Sequence, residues 1–386
     1  MKNSITINNK IINWILDEFA SEKLNDNYCQ ILISWKNKKT QPTISKIREI
    51  SKKINIPFGY FFLSKKPKET IDFLQYRTVK SKVVSKPSRE LIDTIYAMDD
   101  IQTWMSNYKK DNGLDRNNFV GNNKEEIIKR NYINIANSIR KELKINDNWY
   151  ELISSDNAYK YFVSKIQKAG IIVMSNGLVG NNPYRQLNVE EFRAFAIVDD
   201  YAPLIFINSA DTSYAKLFSL LHELTHIWLG ASDLITSELG FEDKDDIEQV
   251  CNGVAAEILV PIDSFKKSWG NYHIDTYDKI AIFSREYKCS KIVIARRALD
   301  LGYISQEIYN QVAKEVRDIF FINKQKHRGG NFYDTHYSRY DINFVKAIYE
   351  SVNIGTITYT EAYRLTNTNS KTFKRAIEDR VETYVE

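Results

Sequence analysis

The chain has 386 residues, 43% of them hydrophobic and 27% charged, with a formal net charge of +5. That length allows two or three domains with their own cores, and the composition reads as soluble and globular. No stretch approaches the ~18 to 20 uncharged apolar residues of a membrane span. The three cysteines (Cys29, Cys251, Cys289) are odd in number and far apart, which excludes a disulfide framework. The opening MKNSITINNK lacks a basic stretch followed by an apolar core, so no secretory signal is read. A reducing cytoplasm is expected, without a membrane partner.

Charge is unevenly placed. Residues 1–80 hold 15 Lys and Arg against 7 Asp and Glu, while the remainder hold 39 against 42. The basic end is suited to face nucleic acid. Within it, KIINWILDEFASEKL has Ile11, Ile12, Ile15, Leu16 and Phe19 at helical spacing. QPTISKIREISKKI opens on a Pro-Thr cap signal and places Ile44, Ile47, Ile50 and Ile54 on one face. NIPFGYFFLSKKP then closes a unit assigned to residues 1–80. Residues 81–166 read as a helical connector, interrupted by the looser DNGLDRNNFVGNNKEE.

The pattern changes at GIIVMSNG, a β-branched run that predicts a strand, followed by FRAFAIVDD and APLIFINS as a hairpin. LFSLLHELTHIWLG predicts a helix that stops at Gly230. DDIEQVCNGVAAEILVP predicts a second helix that stops before Pro261. Strands followed by two helices make an α+β, mostly helical class, with a small sheet packed on the histidine helix. This part is assigned to residues 167–310. Residues 311–386 read as a helical C-terminal extension with a Gly-Gly-Asn break at Gly329 to Asn331.

The chemistry sits in HELTH. Residues at i and i+4 share a helix face, so His222 and His226 can offer ring nitrogens to one ion about 2.0–2.1 Å away. Glu223 is rotated by roughly 100° from His222 and can reach a water on that ion as general base. Leu217, Phe218, Leu220, Leu221, Leu224, Ile227 and Trp228 make this helix apolar nearly all round, hence buried. Burying two histidines and a glutamate is costly unless they are hydrogen-bonded or bound to metal. The other histidines, His273, His327 and His336, are scattered and read as ordinary residues.

A third ligand is expected among Asp233, Glu238, Glu242, Glu248, Cys251 and Glu257. Glu248 and Cys251 share a face of the second helix, and Glu257 points to the opposite side. Spacing does not choose among these three. The plainer readings are a small buried residue for Cys251 and an exposed carboxylate for Glu257.

EEFRAFAIVDDYAPLIFINSADTSYAKLFSLLHELTHIWLG followed by EQVCNGVAAEILVP resembles the ImmA/IrrE family of zinc endopeptidases, closely over about Gly170 to Ser264. PTISKIREISKKINIPFGYFFLSKKP with YRTV at Tyr76 to Val79 resembles the XRE-type helix-turn-helix half of fused members, and GGNFYDTHYSRYDINFVKAIYE resembles their C-terminal extension. The resemblance implies a zincin-like peptidase domain with zinc on His222, His226 and Glu248, the last through a Glu-x-x-x-Asn stretch with Asn252 and Pro261 in register. Glu223 becomes the catalytic base, and Glu257 a non-ligand position.

It also implies a regulatory peptidase that cleaves a repressor or regulator protein. Some fused relatives resemble antitoxins that sit beside a cognate toxin such as a PIN-like ribonuclease. An antitoxin or transcriptional regulator acting by binding is therefore the alternative function. The N-terminal unit departs from the family in a shortened stretch between Trp14 and Trp35. YCQILISWKNKK would be its recognition helix, with Lys36, Lys38 and Lys39 on DNA phosphates.

Overall fold

The computed structural model describes residues 5–21, 23–67, 76–77 (backbone), 87–122, 131–230, 244–271, 274–323 and 339–375. The chain divides into two compact units, Met1–Asp72 and Phe73–Glu386. The stretches assigned to the connector, the peptidase part and the C-terminal extension thus fall within one compact unit.

The first unit holds α1 (Asn9–Phe19), α2 (Asp26–Lys36), α3 (Ile44–Ile54) and a 3-10 turn at Phe58–Phe62. Each helix starts on a side-chain cap: Asn8, Asn25 and Thr43 accept from the backbone N–H of Lys10, Tyr28 and Lys46. The core is Ile11, Ile15, Leu32, Trp35, Ile47, Ile50, Ile54 and Phe61. Ile44, expected on the apolar face, stands at the first position of α3 and is exposed.

The second unit contains β1 (Tyr76–Arg77), α4 (Arg89–Asp111), α5 (Tyr132–Leu143), α6 (Trp149–Leu152), α7 (Ser155–Lys168), β2 (Ile172–Asn176), β3 (Ala194–Ile197) and β4 (Leu204–Asn208). It continues with α8 (Ser213–Leu229), α9 (Lys244–Leu259), α10 (Ile262–Trp269), α11 (Thr276–Glu286), α12 (Lys291–Asp300) and α13 (Gln306–Asn323). The last elements are α14 (Ile342–Ile354), α15 (Tyr359–Leu365) and α16 (Ser370–Phe373). This is the α+β class read from the sequence. Among the described residues no helix is long and apolar enough to cross a membrane.

The sheet has the order β1-β3-β4-β2, with β3–β4 antiparallel and β2–β4 parallel. Side chains alternate across it, as strand geometry requires. Val173, Ala194, Ala196, Ile205 and Ile207 belong to the core that includes α8. Phe195 and Phe206 fall on the other face and stack with ring centroids 5.1 Å apart. The connector's α5 and α7 enter that same core through Ile135, Ile139, Phe162 and Ile166.

Two edges of the three strands β3, β4 and β2 have partners among the described residues. The outer edge of β3 pairs with β1, Tyr76 opposite Phe195 and Arg77 opposite Ala194. At the β2 edge, Val173 N–H donates to Asp341 Oδ2 (3.0 Å) and Ser175 N–H to the Arg339 carbonyl (3.0 Å). A hairpin of this kind would offer an extended peptide an edge to pair with. Here the chain itself already takes up that edge of β3 at Ala194 and Phe195.

Candidate metal centre

Helix α8 begins at Thr212, whose hydroxyl accepts from Ala215 N–H, and ends at Gly230 in the left-handed conformation (φ 63°). The expected glycine stop therefore sits where a side chain would be strained. Every residue from Ser219 to Leu229 is buried. Its far end is fixed by Trp228, which stacks on Phe119 at 4.4 Å and donates from Nε1 to Ser138 Oγ at 3.3 Å.

Helix α9 packs between α8 and α5. Its close approach to α5 is set by Gly253, where a Cβ would fall 2.9 Å from Cγ of Tyr132. The C-terminal end is held by two donors to backbone carbonyls: Arg140 Nη2 to Glu257 and Trp149 Nε1 to Ile258. These contacts fix the part of α9 that follows Glu248 against α5 and α6.

His222, His226 and Glu248 converge. His222 Nε2 lies 3.2 Å from His226 Nε2 and 3.2 Å from Glu248 Oε2, and His226 Nε2 lies 3.2 Å from Glu248 Oε1. Four ligands at 2.0–2.1 Å around a tetrahedral ion are about 3.3–3.4 Å apart, so this triangle matches the spacing that zinc-like coordination demands. Two imidazoles and a carboxylate aimed at one point form a cation-binding donor set. His222 is fully buried and His226 nearly so, whereas the Glu248 side chain keeps 24% exposure. The site therefore reaches solvent on the Glu248 side.

Burial alone pushes the Glu248 carboxyl up, but hydrogen bonds with His222 and His226 outweigh it and hold the carboxyl well below the usual range. It is available as an anionic ligand.

Cys251 also approaches. One donor atom each from His222, His226 and Cys251 lie within 4.8 Å of one another. That set is looser than the 3.2 Å triangle. Glu248 and Cys251 thus both stand beside the histidine pair, Glu248 at the shorter distances.

Glu223 is buried at the start of the histidine turn (1% exposed). Glu257 is not the exposed carboxylate expected: it is buried, accepts from Ile262 N–H at 3.1 Å and pairs with Arg297 at 2.8 Å. It caps α10 and ties α9 to α12. Asp233, Glu238 and Glu242 lie outside the described residues, as do His273, His327, His336 and the Gly-Gly-Asn break.

The sequence reading named Asn252 only as part of the Glu-x-x-x-Asn stretch and gave it no contact. Asn252 Oδ1 lies 3.2 Å from His222 Nδ1. An amide oxygen only accepts, so it holds the proton on Nδ1 and leaves the Nε2 lone pair facing Glu248 and His226. The available signal was spacing: Asn252 follows Glu248 by one helical turn.

In the N-terminal unit, Lys36 is the last residue of α2, and Lys38 (φ 54°) and Lys39 lie in the turn beyond it. The turn is tied by Ser34 and Thr40, whose hydroxyls are 2.6 Å apart. Lys38 and Lys39 are exposed to solvent, clustered at a helix C-terminus where cations are favoured by the backbone dipole.

Residues 168–299 match the peptidase family model described as the IrrE N-terminal-like domain (Peptidase_M78). That stretch runs from just before β2 almost to the end of α12 and contains every residue of the histidine–glutamate cluster. Residues 341–379 match a domain of unknown function (DUF8813). No curated protein and no solved structure matched the chain.

Proposed function

We propose that the chain is a zinc-dependent endopeptidase with His222, His226 and Glu248 as the metal ligands and Glu223 as the catalytic base. The observation that carries this reading is the 3.2 Å triangle of His222, His226 and Glu248 within a stretch that matches a peptidase model. Zinc held by these residues would supply Lewis acidity at the site. Glu223 takes the proton from the attacking water and returns it to the leaving amine. Asn252 keeps His222 in the ligating tautomer, and the apolar wall of α8 keeps bulk water from the buried side of the site.

The substrate class proposed is one or a few cytoplasmic regulator proteins, such as a DNA-binding repressor, with the basic N-terminal unit as a DNA- or protein-docking module. A second reading, an antitoxin or regulator that acts by binding (for example to a PIN-like ribonuclease), is favoured by one observation. The β3 edge that an extended substrate would use is paired with Tyr76–Arg77.

The test is Glu223→Gln in the full chain. On the peptidase reading, zinc by elemental analysis stays near one per chain while newly generated protein N-termini in producing cells disappear. Full biological activity in Glu223→Gln would establish the binding reading instead.

A further inference from the structure

A cavity of about 230 Å3 lies against the sheet on the face away from α8. Its walls are largely apolar: Met174 from β2, Phe206 from β4, Met98 and Ile101 from α4, and Leu365 from α15. Arg339 and Arg364 also line it.

The charges around it are unequally matched. Asp100 pairs with Arg364 at 2.6 Å, Asp93 pairs with Arg89 and with Arg185 at 2.7 Å, and Glu90 pairs with Arg185 at 3.4 Å, so three carboxylates match these three arginines. Arg339 is half-buried and has no carboxylate partner among the described residues. Its Nη1 donates instead to Asn181 Oδ1 at 2.6 Å, an oxygen that also accepts from Asn176 Nδ2 at 3.0 Å. Asn181 has φ 61°, so a non-glycine residue is kept in the left-handed region to present this amide. Neutral amides orient the guanidinium without neutralising it, and a half-buried charge without a counter-charge is costly.

We propose that this cavity is a binding site for a small monocarboxylate, which pairs with Arg339 and places an apolar body against Met98, Met174 and Phe206. A guanidinium matches a carboxylate in plane and can bind it through two hydrogen bonds. One unmatched positive charge calls for one negative charge, whereas a dianion would set its second charge near Asp93 and Asp100. Size agrees: a dry cavity of about 150 Å3 takes a benzene ring, so this one accommodates one ring or a short alkyl chain with its carboxylate.

The experiment uses the full chain labelled with 13C at the methionine methyls and titrated with benzoate and with its neutral isostere benzamide. The chain has four methionines; Met98 and Met174 line the cavity and Met105 does not. Benzoate is expected to shift the Met98 and Met174 signals saturably, leave Met105 in place, and bind at least about tenfold more tightly than benzamide. Arg339→Gln should remove that preference. Benzoate lodged at the histidine pair would leave Met98 and Met174 unshifted and be indifferent to Arg339→Gln. Unshifted Met98 and Met174 at about 20 mM benzoate, or equal binding of benzamide, would overturn the proposal. Should Arg339→Gln fail to fold, the benzoate–benzamide comparison on the wild type decides alone.

Discussion

His222 and Asn252, thirty positions apart in the chain, meet at 3.2 Å between Nδ1 and Oδ1. The contact fixes which ring nitrogen carries the proton, and with it which nitrogen faces His226 and Glu248. Asn252→Ala frees the tautomer and the ring angle without removing a ligand. Zinc affinity, read by competition with a chromophoric chelator, should fall about 10–100-fold. An unchanged affinity would sink the positioning role.

Glu248 and Cys251 offer competing third ligands on one face of α9. Zinc per chain should drop sharply in Glu248→Ala and stay near the wild-type value in Cys251→Ser. The reverse pattern would make the thiolate the ligand and leave Glu248 a neighbour that binds the histidines by hydrogen bonds.

Gly253 admits the Tyr132 ring to the surface of α9, with only 2.9 Å available for a Cβ. Gly253→Val should destabilise the second unit by about 1–3 kcal/mol in urea unfolding, because the ring and the helix must separate. Combining it with Tyr132→Ala should recover much of that loss, as expected of two residues in direct contact. Additive effects would show that the helix packing is not set by this pair.

Asp341 is buried and receives the backbone N–H groups of Val173, Asn343 and Phe344. Burial pushes its carboxyl up against these three donors, which pull it down, and burial prevails. The folded state then binds this proton more readily than the unfolded state, whose carboxyl titrates near ~3.9. Stability from this group is present below the unfolded value and is lost as pH rises through the folded one. In urea unfolding between about pH 4 and pH 7, wild type should lose stability relative to Asp341→Asn as pH increases. A pH-independent offset between the two would show that only the hydrogen bonds matter.

Lys36, Lys38 and Lys39 sit at the C-terminal end of α2, where helix-end electrostatics already favours cations. If they also neutralise DNA phosphates, changing all three to Gln should flatten the dependence of log affinity on log salt. The slope should fall by about 0.9 for each phosphate that is no longer neutralised. Identical slopes, or no duplex binding by the wild type, would leave them a purely local role.

The histidine helix is legible from the chain alone. Its apolar residues recur all round, Gly230 ends it, and the four-residue offset of His222 and His226 puts both on one face by helical periodicity. The hairpin and the preceding strand are equally legible, since β-branched runs bounded by turn residues depend only on neighbours along the chain. Contacts between distant segments are not. Glu248 came from family likeness, because periodicity says which face a side chain takes but not what that face meets. Whether Glu257 is exposed or buried depends on Arg297, forty residues later.

The same holds for the pairing of Tyr76–Arg77 with β3 and for the merging of the connector helices α5 and α7 into the core around α8. Local sequence determined which residues could ligate a metal, because backbone periodicity is a property of each helix alone. Tertiary structure decided which of them come together. The seat of α9 beside α5 and α6 follows from Gly253, Arg140 and Trp149 acting on different segments at once, and no short window of the sequence contains them all.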